Sequence, residues 1–332
     1  MVTLKDISKV SKYSISTISK VVNGDIGDLK LETVQKIREI LDDYKYSSNR
    51  NVGILRSKAA NIIGLVIPMI NQYFFAALTS GIEKYAELNN NKLIICNTKY
   101  DPDLENQFIN DFINLNAFGI IISRVSDESR VVRSLHNIKL PVVIIDNVLI
   151  NEMVPTVVVD NYLAGNLAAL HLFELSHKKF ACVSGPSNNN IARMGLAGFK
   201  DYLKDKNVNE DDIHVFYGNF DFESGVSAVK DILQKKLKVD AIWAQNDLIA
   251  LGALKELKKN NIKVPEDISI VGMDDIYIST LFIPELTTIR IPIDEMCKRA
   301  VELIKIQSEG KNVFEKNVFT PTLVVRNSTM QR

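Results

Sequence analysis

The chain has 332 residues, 46% of them hydrophobic and 24% charged, and its formal net charge is zero. It is too long for one ordinary domain and long enough for two or three. Its three cysteines, Cys96, Cys182 and Cys297, cannot all pair within one chain and form no Cys-x-x-Cys motif. Neither a disulfide framework nor a zinc site is therefore predicted.

Basic residues are concentrated near the N-terminus. Residues 1–60 hold eleven Lys and Arg against seven Asp and Glu, so this segment carries +4 and the remainder −4. Such a distribution fits contact with DNA through one end of the molecule, although a bias of this size also arises by ordinary scatter.

No segment has the pattern of a signal peptide or a membrane span. The residues after Met1 lack the apolar stretch of a signal peptide. The longest apolar runs, such as Ile62–Ile67, fall far short of the roughly 20 residues that a spanning helix needs. We therefore expect a cytoplasmic protein with no membrane partner.

Residues 1–46 are predicted to form three short helices. Ser14 is placed to cap the second helix, and the pair Asn23-Gly24 is typical of a helix end. Residues 47–60 are polar and basic and are predicted to be a linker.

After Asn61 short β-branched runs alternate with helical stretches. Unbroken apolar strands separated by helices predict a parallel sheet that is covered on both faces. The pattern starts again after Asp160, so two such sheets are expected. Their strands are predicted at Ile62–Ile67, Lys92–Cys96, Gly119–Ile122, Val142–Ile145, Phe180–Val183, His214–Tyr217, Ala241–Ala244 and Ile268–Val271.

Two successive α/β sheets imply two lobes with a cleft between them. Ligands of such folds bind at the carboxyl ends of the strands. In this chain those ends carry Pro68, Asn97, Asp146, Asn246 and Asp274.

The motifs of common enzyme classes are missing from the sequence. It contains no phosphate-binding loop, no Gly-x-Gly-x-x-Gly fingerprint, no nucleophile elbow and no His-Glu-x-x-His. We therefore expect no catalytic residue, no bound metal and no cofactor.

Several strings of this sequence resemble the lactose/galactose repressor family, in order and over nearly the whole chain. The first helix and the recognition helix of that family are similar to residues 3–10 and 14–23. Further similar strings are Asn61–Leu65, Tyr73–Ala76, Leu196–Phe199, Asn246–Leu254, Val264–Asp275 and Leu286–Ile289.

The resemblance implies an all-α helix-turn-helix DNA-binding domain joined to an α/β core like that of periplasmic binding proteins, built from two doubly wound parallel-sheet lobes. The DNA-binding domain would be 1–46, the hinge helix 47–60 and the core 61–332. Lobe one would comprise about 61–160 and 291–321, and lobe two 161–290 and the tail. The chain would cross between lobes near Asp160, 289–292 and 320–323.

The function that the resemblance implies is transcriptional repression. The protein would bind pseudo-palindromic operator DNA as a homodimer, or as a tetramer built from dimers. A small molecule bound between the core lobes, such as a sugar, a sugar derivative or another metabolite, would control operator affinity allosterically.

The predicted DNA contacts lie mainly on the recognition helix, whose first turn points at base edges in the major groove of such complexes. Ile15 offers apolar contact to a thymine methyl, whereas Ser16 can donate or accept a hydrogen bond. Alternatively, Ser14 is only a cap and its neighbours are only a polar surface. The full predicted set is Thr3, Ser14, Ile15, Ser16, Thr17, Ser19, Lys20, Asn23, Asn49 and Leu55.

Leu55 is a bulky apolar residue in the polar, basic linker. The resemblance implies that it wedges a base step in the minor groove, and the alternative is packing against the core. Gly53 falls inside the implied hinge helix and costs about 1 kcal/mol relative to alanine there. This hinge should therefore be reluctant to fold without DNA.

The predicted effector contacts are aromatic rings that stack on a ligand face and polar groups that bind hydroxyls. Other roles stay open for them: core packing for the phenylalanines, helix capping for the carboxylates and the amide, and an ion pair for the arginine. The set is Phe74, Asp146, Arg193, Phe220, Asn246 and Asp274.

Two positions depart from the family pattern. Gly195 stands where many relatives carry a ligand-facing arginine, and Met69 stands where a polar acid is frequent. Arg193 cannot replace that arginine, because two helical residues turn by roughly 200°. These changes predict a cleft that is less polar at one end and a ligand that is a modified or partly apolar sugar or another metabolite.

Three other functions were compared with this one. A sugar receptor that does not bind DNA would have no use for the predicted helices of residues 1–46 and would need an export signal. For an enzyme, the sequence lacks any nucleophile, base or phosphate motif. A regulator whose partner is a protein co-regulator remains open.

Overall fold

The structure is a computed structural model, and it describes residues 4–23, 26–27, 29–44, 60–123, 140–146 and 154–332. The chain divides into two compact units, Met1–Ala59 and Ala60–Arg332. Four residues with predicted roles, Thr3, Asn49, Gly53 and Leu55, lie outside the described residues. The side chain of Asn23 is also not described.

Three helices make up the described part of the first unit: α1 (Leu4–Ser11), α2 (Ile15–Asn23) and α3 (Leu31–Asp43). Apolar residues at helical spacing bury one face of each. Their shared core consists of Ile7, Ile18, Val21, Val34 and Ile37.

The second unit contains two six-stranded sheets. The strands of the first sheet are β1 (Ala60–Ile67), β2 (Lys92–Asn97), β3 (Ala117–Ile122), β4 (Val142–Ile145) and β5 (Thr156–Val159). A sixth strand, β11 (Lys316–Phe319), comes from late in the chain. Two helices, α4 (Tyr73–Leu88) and α5 (Pro102–Asn114), alternate with the first three strands. Its strand order is β11-β5-β4-β3-β1-β2, and every pairing in it is parallel.

The second sheet repeats this plan. Its strands are β6 (Phe180–Ser184), β7 (Ile213–Tyr217), β8 (Ala241–Ala244), β9 (Ser269–Asp274), β10 (Thr287–Arg290) and β12 (Thr322–Val324). Their order is β12-β10-β9-β8-β6-β7, with only the β10–β12 pair antiparallel among the described pairings. Its helices are α6 (Asn161–Glu174), α7 (Asn190–Asp205), α8 (Phe222–Gln234) and α9 (Asp247–Lys259).

The chain passes between the sheets at three places. It leaves the first sheet after β5, returns after β10 through α10 (Ile293–Ser308), which packs on β3, β4 and β5, and leaves again between β11 and β12. The architecture confirms the predicted fold class of two doubly wound lobes. Sequence patterning missed the short strands β5, β10, β11 and β12.

One boundary differs from the prediction. The sequence predicts that Ala60 is the last residue of the linker, but in the structure it is the first residue of β1. Its N–H donates to the carbonyl of Asn116 at 2.8 Å, which joins it to the sheet. Among the described helices, none is long and apolar enough to cross a membrane.

Helices α6 and α7 approach each other so closely that only glycine fits at their crossing. A β-carbon on Gly165 would lie 2.0 Å from the carbonyl oxygen of Gly195, and one on Gly198 would lie 1.9 Å from that of Tyr162. This contact fixes the N-terminal ends of both helices, which carry Asn161 and Asn190, relative to the strands.

Candidate functional site

A cavity of about 710 Å³ opens where strands of both sheets end. Pro68, Ser123 and Asp146 follow β1, β3 and β4 of the first sheet, while Pro186 and Gln245 follow β6 and β8 of the second. Strand order reverses between β1 and β3 and between β6 and β8. The cavity therefore lies at the switch points where doubly wound sheets bind ligands.

Five of the six predicted effector residues line this cavity: Phe74, Asp146, Phe220, Asn246 and Asp274. Arg193 does not. Its side chain is exposed and donates from Nη2 to Oδ1 of Asn190, a lining residue, at 3.4 Å.

Asn246 serves mainly as a helix cap. Its Oδ1 accepts from the N–H of Ile249 at 2.8 Å, and its Nδ2 donates to the carbonyl of Phe220 at 2.8 Å. The side chain of Asn246 is therefore a helix cap, as the alternative interpretation expected. One N–H of its amide takes part in neither of these two bonds. The same bond anchors Phe220, whose backbone is left-handed with φ of 57°.

Two carboxyl groups face the cavity from opposite lobes. Asp146 follows β4 and Asp274 ends β9, and both have positive φ, 66° and 106°. Burial raises the pKa of Asp146 to about 7. Burial raises the pKa of Asp274 well above its ordinary value too, and the nearby charges of Asp247 and Asp146 add to this.

The aromatic walls are held by the protein. The ring of Phe74 makes an edge contact with Phe75 at a centroid distance of 5.3 Å. The ring of Phe220 covers Gly185, where a β-carbon would lie only 2.1 Å from it. Both rings thus have preset positions for stacking on a ligand.

Amide and hydroxyl groups that sequence reasoning did not select supply most of the remaining polar lining. The run Asn188-Asn189-Asn190 after β6 was a visible signal, whereas the others lie far apart in sequence. These groups are Gln72, Tyr100, Ser123, Asn161, Asn188, Asn189, Asn190, Asn219 and Gln245.

Gln245 ties three elements together at the floor of the cavity. Its Oε1 accepts from Oγ of Ser184 at 2.9 Å and from the N–H of Gly185 at 3.1 Å, and its Nε2 donates to the carbonyl of Ala192 at 3.0 Å. These bonds hold its amide in one orientation.

The expectation of a less polar end of the cavity stays a prediction, and the structure shows what lies beside Gly195 and Met69. A β-carbon on Gly195 would lie 3.2 Å from Nε2 of Gln245, so an amide occupies the space beside this glycine. Met69 packs against the core instead of lining the cavity. At Gly195 an amide thus stands where the family pattern has an arginine, whereas Met69 adds no polar group to the lining.

Helix α2 carries the predicted DNA-contacting side chains. Oγ of Ser14 accepts from the N–H of Thr17 at 3.1 Å, which caps the helix. Ile15 is 44% exposed and Ser16 is also exposed. Thr17, Ser19 and Lys20 are half-buried. The first turn thus presents an apolar and a hydroxyl side chain to solvent.

Comparison with known proteins decides the family. A family profile described as "Periplasmic binding proteins and sugar binding domain of LacI family" matches residues 60–314. The chain belongs to the LacI family.

Relatives of this LacI-family chain span its full length. It is 30% identical over 331 residues to the HTH-type transcriptional regulator DegA of Bacillus subtilis, covering 98% of each chain. It is 28% identical over 333 residues to the ribose operon repressor of Haemophilus influenzae, covering 99% of this chain and 98% of that one.

A solved structure resembles the core of the LacI-family chain. A periplasmic binding protein/LacI transcriptional regulator from Alkaliphilus metalliredigens, complexed with D-xylulofuranose, is 29% identical with a TM-score of 0.72. The match covers 82% of this chain and 100% of that one.

Proposed function

We propose that this LacI-family chain is a DNA-binding transcriptional repressor whose affinity for its operator is controlled by a small molecule bound in the cavity. The observation that carries the proposal is the joint presence of a capped helix with an exposed first turn and a cavity lined by two lobes. The full-length similarity to an HTH-type regulator and an operon repressor supports the same function. The predictions of a non-enzyme and of a cytoplasmic location follow from this function.

On the DNA side, Ile15 and Ser16 read base edges from the first turn of α2, because both side chains are exposed there. Thr17, Ser19 and Lys20 are assigned to phosphates or to a guanine. Ser14 contributes by capping the helix. Asn23, Thr3, Asn49 and Leu55 complete the interface as the family resemblance implies.

On the effector side, Phe74 and Phe220 stack on the ligand, and Asp146 and Asp274 bind its polar hydrogens. Gln245 joins this set because its amide lines the cavity. Arg193 is left out, since it does not line the cavity itself and its exposed guanidinium donates to Asn190.

Control of DNA binding operates through the relative position of the lobes. Asp146 and Phe74 belong to the first lobe, and Phe220 and Asp274 to the second. A ligand that contacts both sets stabilises one lobe arrangement over others, in proportion to its difference in affinity between them.

The active form is a homodimer. Tyr277, Leu281 and Ile283 are 77%, 60% and 93% exposed and lie within seven residues of each other on the second lobe. An isologous contact between two such patches buries them and pairs two recognition helices across a two-fold axis. A tetramer would add a second such interface.

The experiment that tests this function is selection from random duplex DNA with the full chain. Enrichment of a pseudo-palindrome, followed by small-molecule release of the bound DNA, is the expected result. Failure to enrich any sequence over the starting pool would overturn it.

A further inference from the structure

The charge of the cavity lining is unbalanced. Of the described residues that line it, two are aspartates and none is Lys, Arg or His. The other polar groups are neutral amides and hydroxyls. An anionic ligand would therefore meet two carboxyl groups and, within the described lining, no cation.

The two lining carboxyl groups have no partner in the described part of the chain. Neither side chain of Asp146 or Asp274 is hydrogen-bonded or ion-paired to a described residue, although the two are close enough for the charge of Asp146 to raise the pKa of Asp274. Buried carboxylates normally have such a partner.

The neighbouring carboxylates are satisfied. Asp275 accepts from Nε of Arg290 at 2.6 Å and from Nη2 of Arg326. Asp247 accepts from Oγ1 of Thr288 at 2.6 Å and from the N–H of Ile276 at 2.9 Å. Arg290 and Arg326 are thus engaged by Asp275, and the side chain of Arg193 donates to Asn190, so among the described residues the Asp146–Asp274 pair is left facing the cavity.

We propose that the effector is a cation, a hydroxylated amine whose ammonium group binds between Asp146 and Asp274 while its hydroxyls bind the amides. The proposal rests on the proposed function and names its ligand class. An ammonium group has three donors and no acceptor, which matches two carboxylates from opposite walls. Charge-assisted hydrogen bonds are roughly twice as strong as neutral ones.

A cation also accounts for how the lobes respond. Without a ligand, the raised pKa values of Asp146 and Asp274 favour their protonated, uncharged forms up to about neutral pH, whereas an ammonium group between them favours two carboxylates that both attract it. The rings of Phe74 and Phe220 can contact the ligand's C–H face or its positive charge. A neutral sugar donates hydrogen bonds but supplies no charge that would favour ionisation of the two carboxyl groups.

The test uses matched probes with the full chain. Thermal-shift screening compares D-glucosamine, D-galactosamine and 1-amino-1-deoxy-D-sorbitol with their neutral hydroxyl counterparts, their N-acetyl forms and the 6-phosphates. The expected result is that an amine stabilises the protein and binds at least tenfold more tightly than its uncharged partners, while the phosphates do not bind.

Calorimetry then measures protons. Near pH 6.5 the binding of a cation should ionise the two carboxyl groups and release protons, so the measured enthalpy should be more negative in ACES, a zwitterionic buffer with a large ionisation enthalpy, than in phosphate. Asp146→Asn and Asp274→Asn should each lower amine affinity about tenfold and reduce the proton release. Asp231→Asn, an exposed aspartate outside the cavity paired with Lys235, should change neither.

Three results would overturn the proposal. The first is tighter binding of a neutral or phosphorylated probe than of the amines. If that probe also released operator DNA, the proposed function would still stand. The second is amine binding that is indifferent to both Asp variants. The third is that no probe of any charge alters thermal stability or operator binding. The proposal and small-molecule control then fall together, while operator selection still tests DNA binding.

Discussion

The amide nitrogen of Gln245 lies 3.2 Å from the point at which Gly195 would carry a β-carbon. Cη2 of Trp243 lies 3.1 Å from the same point, and the indole stacks on Phe199 at 5.0 Å. The glycine and the glutamine thus form a complementary pair, in which the absent side chain of one leaves room for the other.

Gly195→Arg should therefore destabilise the protein by about 2 kcal/mol, because the new side chain must displace Gln245 or Trp243. Gln245→Ala alone should cost about 2 kcal/mol, since Ser184, Gly185 and Ala192 lose their partner. Urea unfolding measures both. The double variant should be more stable than the sum of the two losses predicts. Strict additivity would show that the two residues do not share this space.

The raised pKa of Asp146 makes a prediction about stability and pH. Its carboxyl group holds a proton up to about pH 7 in the folded chain, whereas in the unfolded chain it loses that proton near its ordinary value of 3.8. Between these values the folded state binds more protons, so the free energy of unfolding falls as pH rises. Asp146→Asn should be near neutral at pH 4 and stabilising by about 4 kcal/mol at pH 8.

Asp240 supplies a control of opposite sign for that measurement. Burial opposes its ionisation, but Nδ1 of His177, 3.4 Å from Oδ1, and the N–H groups of Lys179 and Lys178 outweigh burial and lower its pKa. Its contribution to stability is present at neutral pH and is lost as pH falls below about 4. Asp240→Asn should therefore destabilise at pH 8. Parallel pH profiles for the two variants would contradict this account of the cleft.

Ile15→Ala should weaken binding to the selected operator with little effect on unfolding, because the side chain is 44% exposed. Loss of an apolar contact to a base is expected to cost about 1–2 kcal/mol of specific binding. Fluorescence anisotropy with specific and random DNA measures it.

The matched control is Ile18→Ala, three residues along the same helix and fully buried. It should destabilise the N-terminal unit by about 3 kcal/mol and weaken binding to specific and random DNA alike. If Ile15→Ala also weakened both DNAs equally, the residue would act through folding or through nonspecific contact.

Ile283→Asp should convert the proposed dimer to a monomer, because it places a charge in the proposed contact, at a side chain that is 93% exposed in the single chain. Analytical ultracentrifugation measures the change. Phe314→Asp, at a 59% exposed side chain outside the Tyr277–Ile283 patch, should leave the dimer intact. An unchanged sedimentation coefficient for Ile283→Asp would place the interface elsewhere.

Sequence patterning located the long, apolar strands and their parallel arrangement, because an unbroken run such as Val142–Ile145 is buried on both faces. It missed β12, a three-residue strand whose register depends on antiparallel pairing with β10. Such short strands carry too few residues for a period to show.

The sequence predicts those cavity residues that lie at the ends of recognisable strands. Asp146 and Asp274 follow directly from the rule for carboxyl ends of parallel strands. Gln245 was missed because its role depends on Gly195, fifty residues earlier in the chain, and no local pattern reports such a pair. Arg193 was also predicted, but it does not line the cavity itself and donates to Asn190, which does.

The most direct test of ligand-controlled repression is a titration of the full chain on its selected operator at several salt concentrations, with and without the stabilising compound. The full pseudo-palindrome should bind far more tightly than a single half-site, affinity should fall steeply with salt, and the compound should change operator affinity at least tenfold. Equal affinity for half-site and full site, or operator binding indifferent to a compound that binds the core, would contradict it.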